Sequence, residues 1–223
     1  MSTVDKHTIS GGTRYGVDVR HEVYMSADVE ADGPIPGPYS MLSFGLAVAG
    51  RRTGDEPFRP QDPEAETFYR ELKPISPDFV PAALNVSGLD RAALERDGAD
   101  PAQAMADLSL WITEVCGPQG RPILVAYPLG FDWMFLYWYL IRFAGTSPFG
   151  HSGCLDMKTM YAVKADAPVG RAVKRQMPRH LLSNRRHTHH ALDDAIEQAE
   201  LFVNLNRWNG IDMTASGPAT TVE

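Results

Sequence analysis

Apolar and polar side chains alternate along residues 21–30. Because successive side chains of a strand point to opposite faces of a sheet, this period of two predicts a β-strand. A turn rich in glycine and proline follows at 32–38, and the pattern predicts two further strands at 39–48 and 66–75. The three strands together predict an antiparallel meander.

The second half of the chain shows helical periodicity interrupted by a short strand. Asp100 and Pro101 open an amphipathic helix, with Asp100 as the expected N-cap and Pro101 in the first helical position. An apolar strand is predicted at 122–127, followed by helices at 131–143 and 191–208. Strands followed by alternating helices and strands indicate an α/β domain with a mixed sheet.

The length of the chain and the absence of internal repeats indicate one domain. A chain of 223 residues is long enough for one well-packed core. Residues 1–19 and 211–223 are polar and lack periodicity, so they are predicted to be flexible tails. The folded domain is expected at 20–210.

The formal net charge of −7 at first argues against a nucleic-acid partner, since phosphate binders usually carry excess Lys and Arg. Residues 167–192 contain no acidic side chain, however, and six basic residues fall there. We predict that Arg179, Arg185 and Arg186 in this segment guide a nucleic-acid backbone; the alternative is a solvated basic loop.

The cysteines and the apolar runs favour a cytoplasmic protein without a membrane segment. Cys116 and Cys154 form neither a disulfide framework nor a zinc-binding Cys-x-x-Cys pair. The longest apolar run, at 133–141, is far shorter than the roughly 20 residues that span a bilayer.

Asp28 and Glu30 lie two residues apart on the first predicted strand, so their carboxylates point to the same face. Two like charges are unfavourable to bury unless a cation neutralises them. The pair therefore indicates either a metal site or a solvated sheet face, and the second is the more common setting of an Asp-x-Glu pair.

Asp132 lies where the predicted strand at 122–127 turns into the helix at 131–143. An acid in the first helical turn complements the helix dipole without any further function. Its neighbours here are aromatic and apolar, which favours a sheltered carboxylate over a solvated one.

The segment before the last helix combines histidines with acids. Asp193 and Asp194 fall in the first helical turn, and His189 precedes Asp194 by five residues. An imidazole with an ordinary pKa of about 6.5, beside an acid and after a basic segment, is suited to acid–base chemistry near phosphate. The alternative is an exposed histidine at a helix terminus.

In this order the three segments resemble the DEDDh exonuclease superfamily, which includes polymerase proofreading subunits, oligoribonuclease and RNase T. The motifs are Ala-Asp-Val-Glu at 27–30, Gly-Phe-Asp-Trp at 130–133 and His-His-Ala-Leu-Asp-Asp at 189–194. A Ser-Gly-Leu turn within 85–89 is also similar to one found in these enzymes. The resemblance covers residues 20–208.

The resemblance implies a ribonuclease H-like α/β fold: a mixed five-stranded sheet, antiparallel in its first three strands and flanked by helices. It also implies two divalent cations, Mg²⁺ or Mn²⁺, with His189 as the general base. The implied metal ligands are Asp28, Glu30, Asp132 and Asp194.

His190 and Asp193 form a competing register in the third motif. The separation of five residues that is typical of the family selects His189 with Asp194. Asp156 resembles an acid with a supporting role in relatives, and it is not assigned to the metal site.

Two features depart from the family pattern and concern contacts with the substrate. Tyr127 and Pro128 stand where relatives commonly carry His-Asn, and an insertion at 33–38 lengthens the loop after the first motif.

The expected activity is metal-dependent 3′–5′ hydrolysis of single-stranded nucleic acid, with release of nucleoside 5′-monophosphates. DNA and RNA remain open as substrates. The alternatives are a non-catalytic nucleic-acid-binding module with the same fold and a hydrolase of small phosphodiesters. Some relatives are dimers, so the aromatic run at 133–143 could serve either the core or a homodimer interface.

Overall fold

The computed structural model describes residues 21–211. The predicted N-terminal tail at 1–19 lies outside the described residues. So does the predicted C-terminal tail, apart from Ile211, whose N–H donates to the carbonyl of Lys164 at 3.0 Å.

Six strands and six α-helices make up the described domain. The strands are β1 (His21–Ala31), β2 (Met41–Thr53), β3 (Arg59–Pro60), β4 (Thr67–Glu71), β5 (Gly120–Ala126) and β6 (Cys154–Asp156). The helices are α1 (Pro81–Ser87), α2 (Arg91–Asp97), α3 (Pro101–Cys116), α4 (Leu129–Tyr139), α5 (Met157–Lys164) and α6 (Ala191–Arg207).

The strands form one mixed sheet in the order β3-β2-β1-β5-β6, with β4 also pairing with β2. β2 runs antiparallel to β1, β3 and β4, whereas β1–β5 and β5–β6 are parallel pairs. The expected α/β fold and antiparallel start are confirmed. The expected number of five strands was wrong, because the two-residue β3 and the longer β4 share the outer edge of β2.

Several predicted boundaries also shift. The helix expected at 131–143 begins earlier, at Leu129, and its α-helical part ends at Tyr139, after which Leu140–Ala144 forms a π-helical turn. The third strand, expected at 66–75, is confined to Thr67–Glu71. The predicted N-cap of α3 is present, because Asp100 accepts hydrogen bonds from the N–H groups of two residues in the first turn.

Helices cover both faces of the sheet and enclose two apolar cores. One core lies between the sheet and the helices α3 and α4, and the other between the sheet and the helices α5 and α6. Val23, Met25, Ala27 and Val29 of β1 face the first core, and Tyr24 faces the second. The even-numbered side chains of β1 therefore point towards α6.

A buried ion pair ties α2 to the loop that follows β1. The side chain of Asp32 is fully buried and accepts a hydrogen bond from Arg91 Nε at 3.0 Å. The carbonyl of Asp32 accepts from the N–H of Val80 at 2.7 Å, just before α1. These contacts attach α1 and α2 to Asp32, which follows Glu30 by two residues.

Within residues 21–211, no helix combines the length and the apolarity needed to cross a bilayer. Cys116 is buried and Cys154 is half-buried, and both are free thiols.

Candidate active site

β1 carries two carboxylates to the face of the sheet that α6 covers. Ligand oxygens of Asp28, Glu30 and Asp194 all lie within 4.8 Å of one another. The strand period therefore places Asp28 and Glu30 on one face, as their spacing of two residues predicted.

Asp194 holds the turn that leads into α6. Its side chain is fully buried, Oδ1 accepts from the N–H of Thr188 at 2.9 Å, and Oδ2 accepts from the N–H of His189 at 2.8 Å. A carboxylate in the first turn of a helix is also favoured by the helix dipole. These contacts fix the position of His189 relative to Asp194.

Gly45 on β2 allows α6 to approach the sheet this closely. It pairs with Asp28 across the β1–β2 ladder. A Cβ at this position would lie 2.5 Å from the Cα of Leu192 and 2.6 Å from the carbonyl oxygen of Ala191. Only a residue without a side chain fits beneath the first turn of α6.

Asp132 joins the cluster from the first turn of α4. It is buried, and its Oδ1 accepts a hydrogen bond from the N–H of Val29 at 3.0 Å. It lies outside the group of oxygens within 4.8 Å, but its charge acts on Asp28. The second motif therefore lies beside the first, as expected.

Three acids of the cluster have raised pKa values because they are buried close to other carboxylates. Burial, together with the charges of Asp132, Glu30 and Asp194, raises the pKa of Asp28 well above its ordinary value, and Lys174 opposes the shift. Burial and the charge of Asp194 raise the pKa of Glu30 to about 7. Burial also raises the pKa of Asp132. Each acid disfavours ionisation of its neighbours.

Oxygen-rich clusters of this kind suit hard divalent cations. Carboxylate-only ligand sets favour Mg²⁺ or Mn²⁺ over zinc. Lys174 does not neutralise the cluster by itself, because its ammonium is paired with Glu197. Asp28, Glu30, Asp132 and Asp194 therefore fit a site for divalent cations.

His189, and not His190, lies next to the cluster of four acids. The backbone of His189 is left-handed, with φ of 58°, and its Nδ1 lies 3.9 Å from Glu30 Oε1. The ring of His190 stacks on Tyr69 at 4.6 Å, and its Nδ1 accepts from the N–H of Asp193 at 3.4 Å. The geometry thus favours the register of His189 with Asp194.

Sequence reasoning missed two side chains that contact the cluster. His187 Nδ1 lies 3.1 Å from Asp194 Oδ2, and Gln198 Nε2 donates to Asp28 Oδ1 at 2.7 Å. Gln198 follows Asp194 by four residues, so the helical period could have placed it on the same face. No spacing rule distinguishes His187 from the other histidines of the segment.

Asp156 has a structural role in the described domain. Its Oδ2 accepts from the N–H of Thr159 at 3.0 Å as the N-cap of α5, and its Oδ1 accepts from the N–H of Leu129 at 2.9 Å. Burial raises its pKa, but these hydrogen bonds outweigh that effect and lower it overall. Asp156 orients the start of α4, in line with its exclusion from the metal site.

The three arginines predicted to guide the substrate differ in their surroundings. Arg185 pairs with Glu64 and Glu200, each at 2.8 Å. Arg179 and Arg186 are exposed. Contact between these arginines and a nucleic acid stays a prediction, and Arg185 would first have to exchange its carboxylate partners.

The aromatic run of α4 contributes to both the core and the surface. Phe135 and Tyr139 are fully buried. Trp133, Tyr137 and Trp138 line an open apolar groove. The core role is confirmed, and a homodimer through this groove stays a prediction.

Comparisons with known proteins agree with the resemblance to exonucleases that the sequence motifs indicate. No protein-family model matches the chain. The chain is 39% identical over 181 residues to the 3′–5′ DNA exonuclease Cap18 of Escherichia coli, covering 81% of this chain and 90% of that protein.

Solved nuclease structures share the fold at low sequence identity. The nuclease domain of 3′hExo, a DEDDh family member bound to rAMP, has a TM-score of 0.61 at 14% identity, covering 85% of this chain and 94% of that one. The 3′-exonuclease bound to a histone mRNA stem-loop has a TM-score of 0.63 at 13% identity, covering 87% and 66%. The chain thus spans just under two thirds of that structure.

A mixed sheet with helices on both faces gathers acids from β1, α4 and α6, and this ribonuclease H-like fold is shared with the solved nuclease structures. Cap18 shares 39% identity across 90% of its own length, which fixes the family. The chain belongs to the DEDDh superfamily of 3′–5′ exonucleases. The predicted enzyme class is thereby confirmed.

Proposed function

We propose that the protein hydrolyses single-stranded DNA from its 3′ end and releases nucleoside 5′-monophosphates, with two divalent cations, Mg²⁺ or Mn²⁺. The convergence of Asp28, Glu30 and Asp194 within 4.8 Å, beside Asp132 and His189, is the observation that supports this most directly. DNA is chosen over RNA because the relative of 39% identity is a DNA exonuclease.

The four carboxylates would hold the cations, because bound positive charge relieves the repulsion between these acids. Two divalent cations bound there would supply the positive charge that activates a water molecule and stabilises the departing 3′-oxygen. Asp194 would bind while its two oxygens also accept backbone N–H groups, which holds its orientation.

His189 would accept the proton of the attacking water. The water oxygen forms a bond to phosphorus and the bond between phosphorus and the 3′-oxygen breaks. The departing 3′-oxygen takes up a proton from solvent, so the products are a 5′-monophosphate and a new 3′-hydroxyl. The imidazole is 44% exposed and lies beside Glu30, so it can reach a water molecule at the cluster. Its Nδ1 lies 3.9 Å from Glu30 Oε1, so the ring is near the acids.

A test uses the purified protein with Mn²⁺ and an oligonucleotide labelled at its 5′ end. We expect a ladder of products that shorten one nucleotide at a time, with nucleoside 5′-monophosphates released and no reaction in EDTA. Glu30→Gln is the matched control, since it removes one ligand charge at nearly constant volume.

The other outcomes separate the alternatives. Binding of the oligonucleotide without cleavage would support a non-catalytic module. Cleavage of bis(p-nitrophenyl) phosphate without shortening of the oligonucleotide would support a hydrolase of small phosphodiesters. Faster shortening of an RNA oligomer than of its DNA counterpart would contradict the choice of DNA.

A further inference from the structure

Gln198 lies on α6 between the ends of two strands. Its side chain is 2% exposed, so both polar atoms of the amide need partners within the protein. Nε2 donates to Asp28 Oδ1 at 2.7 Å, and Oε1 accepts from the N–H of Tyr127 at 2.6 Å. One side chain therefore bridges Asp28 on β1 and the residue that follows β5.

The two partners leave the amide of Gln198 a single orientation. The backbone N–H of Tyr127 can only donate, so the oxygen of the amide must face it. The nitrogen then faces Asp28, whose Oδ1 accepts its hydrogen bond. A flipped amide would lose both hydrogen bonds at once.

Tyr127 is itself anchored, so the bridge rests on a fixed support. Its hydroxyl donates to the carbonyl of Ala172 at 2.5 Å, and Lys174 lies over its ring at 5.7 Å from the centroid. The neighbour of Gln198 on α6, Glu197, is buried and pairs with Lys174. Tyr127 and Glu197, the neighbours of Gln198 in space and in sequence, are therefore both held by contacts of their own.

We propose that Gln198 is a positioning residue that fixes the Asp28 carboxylate for binding of the divalent cation. Oδ1 is tied to Gln198, so Asp28 is presented to the cluster in one rotamer. This inference rests on the proposed function only in taking Asp28 as a metal ligand. Partners that orient metal ligands typically change metal affinity or activity by about 10–100-fold when removed.

The test substitutes Gln198→Met, which keeps the length of the side chain and removes the donor. The readout is the Mn²⁺ dissociation constant in the absence of nucleic acid, measured from the electron paramagnetic resonance signal of free Mn²⁺. We expect the constant to rise about 10–100-fold. At saturating Mn²⁺, kcat should largely recover and the KM for the oligonucleotide should stay unchanged.

A second variant, Gln198→Asn, guards against loss of folding, because it keeps a buried amide and adds no charge. Its side chain is shorter by one methylene, so it cannot span both Asp28 and the N–H of Tyr127, and Mn²⁺ binding should weaken again. The matched control is Gln103→Met on α3, where an exposed Gln103 Nε2 donates to Asp107 Oδ1 at 2.8 Å. This removes the same kind of hydrogen bond far from the cluster and should leave Mn²⁺ binding unchanged.

The inference is overturned if both variants at Gln198 are folded and bind Mn²⁺ as the wild type does. A lower melting temperature with unchanged Mn²⁺ affinity would assign Gln198 to stability alone. The proposed function fails separately, if the wild-type protein shortens no oligonucleotide. Because the binding measurement contains no nucleic acid, each result can be obtained without the other.

Discussion

At the scale of single residues, the turn before α6 separates two adjacent histidines. His189 adopts a left-handed backbone and faces Glu30, whereas His190 stacks on Tyr69 and caps the helix. Few residues other than glycine adopt positive φ, and where they do the surrounding structure must hold them there. Asp194 provides that hold through the N–H of His189.

His189→Ala should lower kcat by about 10²–10⁴-fold, the usual contribution of a positioned general base. The Mn²⁺ affinity should change little, since the carboxylates remain. His190→Ala is the control, and it should leave kcat nearly unchanged because that ring faces Tyr69. The reverse ranking of the two variants in steady-state kinetics would assign the base to His190.

Glu30 makes the stability of the metal-free protein depend on pH in an unusual direction. Its pKa is about 7 in the folded protein, against an ordinary value of 4.5. Between these values the folded state holds a proton that the unfolded state has lost, so the free energy of unfolding falls as pH rises through this window. Most carboxylates that are salt-bridged when folded behave in the opposite way.

We therefore expect that, in EDTA, raising the pH from 5 to 8 destabilises the wild type relative to Glu30→Gln. Thermal melts of both proteins across this range would measure the difference in melting temperature. The comparison with the variant removes the contributions of the titrating groups that lie away from the cluster of acids. Parallel pH profiles for the two proteins would show that Glu30 carries no such shift.

Motif spacing predicted which acids would meet, but not what surrounds them. Asp28 and Glu30 follow from the strand period, and Asp132 and Asp194 from their places at helix starts. The hydrogen bond between Gln198 and Asp28 joins residues that are far apart in the chain, and so do the two ion pairs of Arg185. A single sequence holds no local signal for such contacts.

At the scale of elements, the crossing of α6 over the sheet depends on Gly45. The first turn of α6 lies on this residue, and the same turn carries Asp194. Gly45 also pairs with Asp28 in the adjacent strand. The separation of the acids on β1 from the acid on α6 is thus set by the contact at Gly45.

Gly45→Ala should force α6 away from β1, because the added Cβ would lie about 2.5 Å from backbone atoms. Overpacking of this kind costs about 1–3 kcal/mol of stability, and the displaced Asp194 should weaken Mn²⁺ binding as well. Urea unfolding and Mn²⁺ titration would measure the two effects. Gly170→Ala is the control, since its added Cβ meets nothing within 4 Å.

The ion pair between Asp32 and Arg91 should stabilise the attachment of α2 to the loop that follows β1. Arg91→Leu leaves a fully buried carboxylate without its cation, and breaking such pairs typically costs about 3–5 kcal/mol. Urea unfolding should report this loss. Arg96→Leu on the same helix removes an exposed arginine and should change stability by less than about 0.5 kcal/mol. Equal losses in both variants would contradict a special role for the pair.

Long elements were predicted from the sequence, whereas most short ones, apart from the strands β4 and β5, were missed. β1, α3 and α6 are each eleven residues or longer and carry a clear hydrophobic period, whereas β2 is a thirteen-residue strand that is continuously buried over its first ten residues. The unpredicted elements, α1, α2, α5, β3 and β6, have between two and eight residues each. These five segments carry no pattern that separates them from loops, because tertiary packing decides elements of that length.

At the scale of the whole molecule, the net charge of −7 and a polyanionic substrate are compatible if cations enter with the substrate. The acids then contribute affinity for metal, and the metal contributes affinity for phosphate. A positively charged protein surface is not required for this mode of binding.

We expect that Mn²⁺ raises the melting temperature of the whole domain. A ligand that binds only the folded state at a hundred times its dissociation constant adds about 2.7 kcal/mol. Differential scanning fluorimetry with Mn²⁺ and with EDTA would measure the shift. Glu30→Gln should show a much smaller one, and a shift of equal size in that variant would place the binding elsewhere.

The acids come from three well-separated parts of the chain, β1, α4 and α6, with Asp194 and His189 nearest to the C-terminal end. While the protein is being made on the ribosome, residues 28, 30 and 132 emerge long before residue 194. A nascent or prematurely terminated chain that stops short of α6 therefore lacks Asp194, one of the three acids whose oxygens meet within 4.8 Å. The cluster of acids can therefore form only after the last helix has been synthesised.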